Sequence, residues 1–122
     1  NTFFILGSHP ALSLAELYAR LDIGAHELAG EAFIAEISET LNPARFISSL
    51  GGTVKLGRIA ARAYSQAEIM AAAEKVLHET PKDGKFNFGI SVYGKSNIKT
   101  LPLGLELKKT LRAKGVSCRF VT

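Results

Sequence analysis

Residues 86–122 read FNFGISVYGKSNIKTLPLGLELKKTLRAKGVSCRFVT, and this stretch decides how the second half of the chain folds. From 86 to 93, Phe86, Phe88, Ile90 and Val92 alternate with Asn87, Gly89 and Ser91. That is the period-two pattern of a strand with one buried face. Gly94 breaks it, and a polar loop follows with Lys95, Ser96, Asn97, Lys99 and Thr100. The next residues predict a helix. Thr100 is its expected cap, Pro102 falls in the first turn, where a missing N–H costs nothing, and Gly115 is its stop. Leu103, Leu107 and Leu111 recur at i, i+4 and i+8 and predict its buried stripe, leaving Lys108, Lys109, Arg112 and Lys114 for the rest of the surface. Residues 116–121 read as a returning strand that carries Arg119. The predicted unit is βαβ, with a basic loop and a basic helix.

The preceding residues divide into two modules. Residues 2–6 are nearly all apolar and predict a first strand that is central and covered on both faces. After the turn Gly7-Ser8-His9-Pro10, Ser13 and Glu16 have capping-box spacing, and Leu14, Leu17, Tyr18 and Leu21 give a helical stripe. Extended pieces at 25–28 and 32–37 flank Gly30, as in a hairpin. Asn42 and Pro43 open a second helix, Gly51-Gly52 closes it, and 53–63 reads as extended, with Lys55, Arg58 and Arg62. The order βαββαβ over residues 1–63 predicts an α+β, ferredoxin-like domain of four antiparallel strands with two helices on one face. Ser65 and Glu68 then start a third helix, whose buried face is expected at Ile69, Ala72, Ala73, Val76 and Leu77. Residues 64–122 thus form an α/β module of order αβαβ. Two strands leave edges unpaired, so the module is expected either to pack on the first sheet or, the favoured reading, to continue beyond Thr122.

Charge is unevenly distributed. Residues 82–122 hold nine lysines and arginines against Asp83 and Glu106, a net of +7. The first fifty residues hold Arg20 and Arg45 against six acidic side chains, a net of −4. A basic half beside an acidic half suggests a polyanionic partner on one side. Charge alone is equally compatible with a solvated helix surface. With 47% apolar residues the chain can build a core, and disorder is not expected. The single cysteine, Cys118, excludes an internal disulfide framework, fits a reducing compartment and reads as a buried thiol. No apolar run approaches the roughly 20 residues of a membrane span. The opening Phe3-Phe4-Ile5-Leu6 is too short for the core of a signal peptide, so the expected location is cytoplasmic.

Catalytic patterns are missing. His9, His26 and His78 are scattered without ligand spacing, and no metal is expected. His9 follows the first strand, where a loop residue can face a ligand, but its place before a proline reads as structural. Gly7-Ser8 belongs to no Gly-x-Gly-x-x-Gly or Walker pattern, and there is no G-x-S-x-G. Glu36 and Glu39 read as a solvated strand end. No glycine-rich strand-to-helix turn for a dinucleotide or methyl donor is present. No residue is assigned a catalytic role, and binding remains. Phe86 and Phe88 share a strand face with Ile90 and Val92 and read as core, whereas Tyr93 breaks that register and is left open to base stacking. The candidate RNA contacts are cations: Lys95 and Lys99 in a loop that ends at a helix N-terminus, Lys108, Lys109 and Arg112 along the helix, and Arg119 on the last strand. Such phosphate contacts position a nucleic acid without reading its sequence.

The segments FFILGSHPALSLAELYARL and GGTVKLGRIA, with the pair FGISVYG and LGLELKKTLRAKGVSCRFV, resemble the N-terminal region of THUMP-containing RNA methylases, above all the tRNA guanine-N2 methyltransferases. The resemblance covers essentially the whole chain: residues 1–63 as the ferredoxin-like part, 64–122 as the first part of THUMP. It implies that the two modules bind tRNA while a Rossmann-type domain, using S-adenosylmethionine, acts at a distance. The family's Asp- or Asn-Pro-Pro-Tyr segment has no counterpart here, which implies a fragment that is inert alone and needs no cofactor of its own. Other THUMP proteins make thiouridine or pseudouridine. The competing expectation is a ferredoxin-like regulatory or interaction module that binds a small molecule or a subunit through an open sheet edge.

Overall fold

The computed structural model describes residues 1–79, 86–94 and 98–121. They fall into two units, Asn1–Ile59 with Tyr93–Lys95, and Ala60–Val92 with Ser96–Thr122. In the first unit the order is β1 (Thr2–Leu6), α1 (Pro10–Arg20), β2 (Ile23–Ala29), β3 (Ala32–Ile37), α2 (Pro43–Ser48) and β4 (Thr53–Arg58). The sheet order is β2-β3-β1-β4 and every neighbouring pair is antiparallel. This is the α+β, ferredoxin-like arrangement. Phe4 stands opposite both Phe33 and Leu56, so these side chains share one face of the sheet. Phe4, Leu6, Phe33 and Ala35 meet Leu17 of α1 and its C-cap Leu21 in the core. Ile5 points to the other face and is still only 4% exposed, which is why β1 reads as a continuous apolar run.

The start of α1 differs from expectation. The helix begins at Pro10, whose fixed φ and absent N–H suit a first turn, so Ser13 lies inside it. Ser13 is buried, with Oγ 2.6 Å from Gly52 O and 3.1 Å from His9 O. Glu16 does not return to the helix start. Its carboxylate accepts hydrogen bonds from the backbone of Gly51 (3.0 Å) and Gly52 (3.1 Å), fastening α1 to the turn before β4. Those two amides hold its carboxyl below the usual glutamate range. Arg20 adds a second tie, its guanidinium 4.8 Å above the Phe46 ring and its Nη1 donating to Ser49 Oγ at 2.7 Å. Asn42 caps α2 as expected, accepting from Arg45 N. β4 stops at Arg58, short of the expected extension to residue 63.

The second unit contains α3 (Gln66–Glu79), β5 (Phe86–Phe88), α4 (Thr100–Ala113) and β6 (Cys118–Phe120). β5 and β6 pair in parallel, with Phe86 opposite Cys118, Asn87 opposite Arg119 and Phe88 opposite Phe120. Leu103, Leu107 and Leu111 are buried at the predicted spacing, and Cys118 is buried with them. Phe88 stacks on Phe120 with ring centroids 5.5 Å apart. The expected strand at 86–93 is much shorter: Val92 is 38% exposed, and alternation beyond Phe88 buries no continuous face. Lys99, not Thr100, is the N-cap of α4, without a side-chain bond, and Gly115 ends the helix at φ +81.

At the start of α3, Glu68 N donates to Ser65 Oγ (3.2 Å), while the Glu68 carboxylate accepts from Tyr64 N (2.7 Å), a capping box displaced by one residue on its return. The apolar face of α3 is only half-buried. Ile69, Ala73 and Leu77 line an apolar groove of about 440 Å³ together with Phe88, Leu103 and Leu107. Lys114 of α4 pairs with Glu74 of α3. Among the described residues no helix is long and apolar enough to cross a membrane.

Candidate nucleic-acid interface

α4 carries two stripes. Leu103, Leu107 and Leu111 turn inward, and Leu101, Leu105, Lys108 and Arg112, at i, i+4, i+7 and i+11, form a second line along the helix. At 1.5 Å per residue this line is about 16 Å long. Its leucines are 53% and 51% exposed. Lys109 flanks the line and is exposed; Lys108 is half-buried. A half-buried lysine lays its methylenes on the protein and keeps its ammonium in water. Arg112 is held over β6, its Nη2 donating to Cys118 O at 3.4 Å, which leaves the other guanidinium N–H groups for a ligand. Neither Lys108 nor Lys109 has an acidic partner among the described residues. Lys114 does have one and is thereby removed from the basic surface.

The other candidate cations are placed differently. Lys99 is exposed at the N-cap of α4, ahead of a first turn whose Thr100 and Leu101 amides have no partner within the helix. Lys95 lies outside the described residues. Arg119 is exposed, but it alternates with Cys118 and Phe120, whose side chains face α4. Its side chain therefore stands on the opposite face of the β5–β6 pair. The structure brings Lys108, Lys109 and Arg112 together, sets Lys99 at the start of the same helix, and separates Arg119 from them.

Tyr93 is engaged within the first unit. It is half-buried, and the Lys55 ammonium lies 5.6 Å from its ring centroid, a cation–π contact that occupies the ring. His9 is the exposed N-cap of α1 and makes no side-chain cap. His26 sits on β2 with Nδ1 3.1 Å from Gly24 O and Nε2 3.2 Å from Tyr18 Oη. Since a carbonyl only accepts, Nδ1 donates, and in the neutral ring Nε2 then accepts a hydrogen bond from the Tyr18 hydroxyl, an ordinary structural use of the ring. Among the described residues no group of three histidine, cysteine or acidic side chains could hold a metal ion.

Sequence reasoning missed Leu101 and Leu105 as exposed members of the basic stripe, although their spacing to Lys108 and Arg112 was legible. It also missed Asn87, which pairs with Arg119 across the strands. Compared with known proteins, the chain matches no family model, no curated protein and no solved structure.

Proposed function

We propose that this chain binds tRNA as the recognition part of a cytoplasmic tRNA-modifying enzyme, specifically a tRNA guanine-N2 methyltransferase whose S-adenosylmethionine chemistry is carried by residues outside 1–122. The observation behind RNA binding is the clustering of Lys108, Lys109 and Arg112 on one side of α4, in a segment whose net charge is +7 over residues 82–122. Cations clustered in this way hold a phosphate backbone without reading bases. The assignment to methyl transfer rests on the resemblance of the sequence alone. In this reading the chain itself binds and does not catalyse.

Titrating the chain with bulk tRNA at low and moderate salt, against duplex DNA as competitor, tests the proposal. Binding is expected to prefer tRNA and to weaken steeply with salt, because each neutralised phosphate releases counterions. Charge reversal of Lys108 and Arg112 together should flatten the salt dependence by about two phosphate contacts. Failure to bind tRNA even at low salt refutes the reading. The alternative, an interaction module, draws on the apolar groove of the second unit. It predicts a dimer, or a ligand-dependent rise in Tm, with no response to tRNA.

A further inference from the structure

The face of the β5–β6 pair opposite α4 carries chemistry that the phosphate-binding surface does not use. Asn87 and Arg119 are directly opposite in the parallel register, and both are exposed. Neighbouring strands lie about 4.8 Å apart, so the two side chains rise next to each other from one surface. Neither side chain has a hydrogen-bond partner among the described residues. Next along this face come Gly89 and Val121, which bring no competing charge. A guanidinium offers a rigid fork of donors, and a carboxamide offers a donor beside an acceptor. These are the two groups that pair in bidentate fashion with purines, arginine with guanine O6 and N7, asparagine with adenine N6 and N7. In double-stranded RNA those edges sit in a deep, narrow groove that side chains do not reach, so the base must be unpaired.

We propose that Asn87 and Arg119 read the Hoogsteen edges of unpaired purines, Arg119 that of a guanine and Asn87 that of an adenine, base-selective contacts separate from the phosphate contacts of α4; this rests on the tRNA-binding reading above. The lysines of α4 then supply affinity, and the strand pair supplies preference.

The test compares short purine-only with pyrimidine-only oligoribonucleotides at fixed salt, using the intact chain, Asn87→Ala, Arg119→Lys and the Lys108→Glu/Arg112→Glu double variant. The unaltered chain should favour the purine oligomer by about tenfold or more. Asn87→Ala and Arg119→Lys should each reduce the purine preference, while pyrimidine binding and its salt slope stay unchanged. Arg119→Lys is the sharper variant, since it keeps the charge and removes only the fork. The double variant should weaken both oligomers alike and keep the preference. Salt-sensitive binding without purine preference, or a preference that survives both single variants, overturns the base-reading role and leaves tRNA binding standing. No salt-sensitive binding of either oligomer removes both.

Discussion

Gly104 of α4 lies directly beneath the ring of Phe120 on β6, so close that a methyl group on the glycine would overlap the ring carbons Cζ, Cε1 and Cε2. A glycine in mid-helix ordinarily costs about 1 kcal/mol relative to alanine. Here the missing Cβ is what lets the aromatic ring close the βαβ unit. Gly104→Ala should therefore destabilise the second unit by about 1–3 kcal/mol, the usual cost of overpacking, against the gain expected from helix propensity. Urea unfolding followed by far-UV circular dichroism measures the sign. A stabilised variant would mean that Phe120 does not pack on α4.

Acid should loosen the first unit through Glu16. Its carboxyl is depressed below the ordinary value of 4.5 by the amides of Gly51 and then Gly52. The bonded form is the ionised one, so its contribution is complete above the unfolded-state pKa and is lost as pH falls through the lower folded value. Glu39, held down by the Asp22 amide first, acts in the same direction. Glu16→Gln should lower Tm at neutral pH and show a shallower loss of Tm below about pH 5 than the unaltered chain. Parallel Tm-against-pH curves for the two proteins would contradict the role given to this carboxylate.

Two lysines of α4 should behave in opposite ways. Lys114 pairs with Glu74, whereas Lys109 is exposed without an acidic partner among the described residues. Lys114→Ala should cost about 0.2–1 kcal/mol of stability and leave the affinity for tRNA nearly unchanged. Lys109→Ala should leave stability within about 0.5 kcal/mol and lower the salt slope by about one contact. Denaturation and salt-titrated binding on both variants separate the two roles.

Burial sets a further contrast. Leu111 is fully buried against α4's neighbours, whereas Leu77 of α3 borders the open apolar groove. Leu111→Ala should cost about 2–5 kcal/mol, through lost transfer energy and a cavity that its surroundings cannot close. Leu77→Ala should cost clearly less, because part of its surface already meets solvent. Equal losses in chemical denaturation would show the groove to be closed in solution.

Patterns with a single physical cause were legible in the sequence. The apolar run Phe3-Phe4-Ile5-Leu6 reads as a central strand because residues on both of its faces are buried. The leucines of α4 and the Asn42-Pro43 helix start also follow directly from local spacing and capping chemistry. What escaped was decided by distant partners. Ser13 and Glu16 look like a cap to each other, yet both bond to a turn 35 or more residues away. Residues 86–93 alternate like a long strand, but alternation does not supply a partner, and β6 pairs with only three of them. The separation of Arg119 from the α4 cations follows from register, which no composition or charge count contains.

β1 precedes its hydrogen-bonding neighbours β3 and β4 in the chain, with β2 and both helices of the first unit between them. A nascent chain can complete the β2–β3 hairpin and add β1 to it while one edge of β1 is still bare. That edge waits for β4, so the sheet closes only once Arg58 has left the ribosome. During that interval an apolar strand with unpaired amides is open to wrong partners, including β1 of a neighbouring nascent chain. Slow elongation before β4 would lengthen this exposure, and chaperone capture of intermediate-length chains is its expected signature.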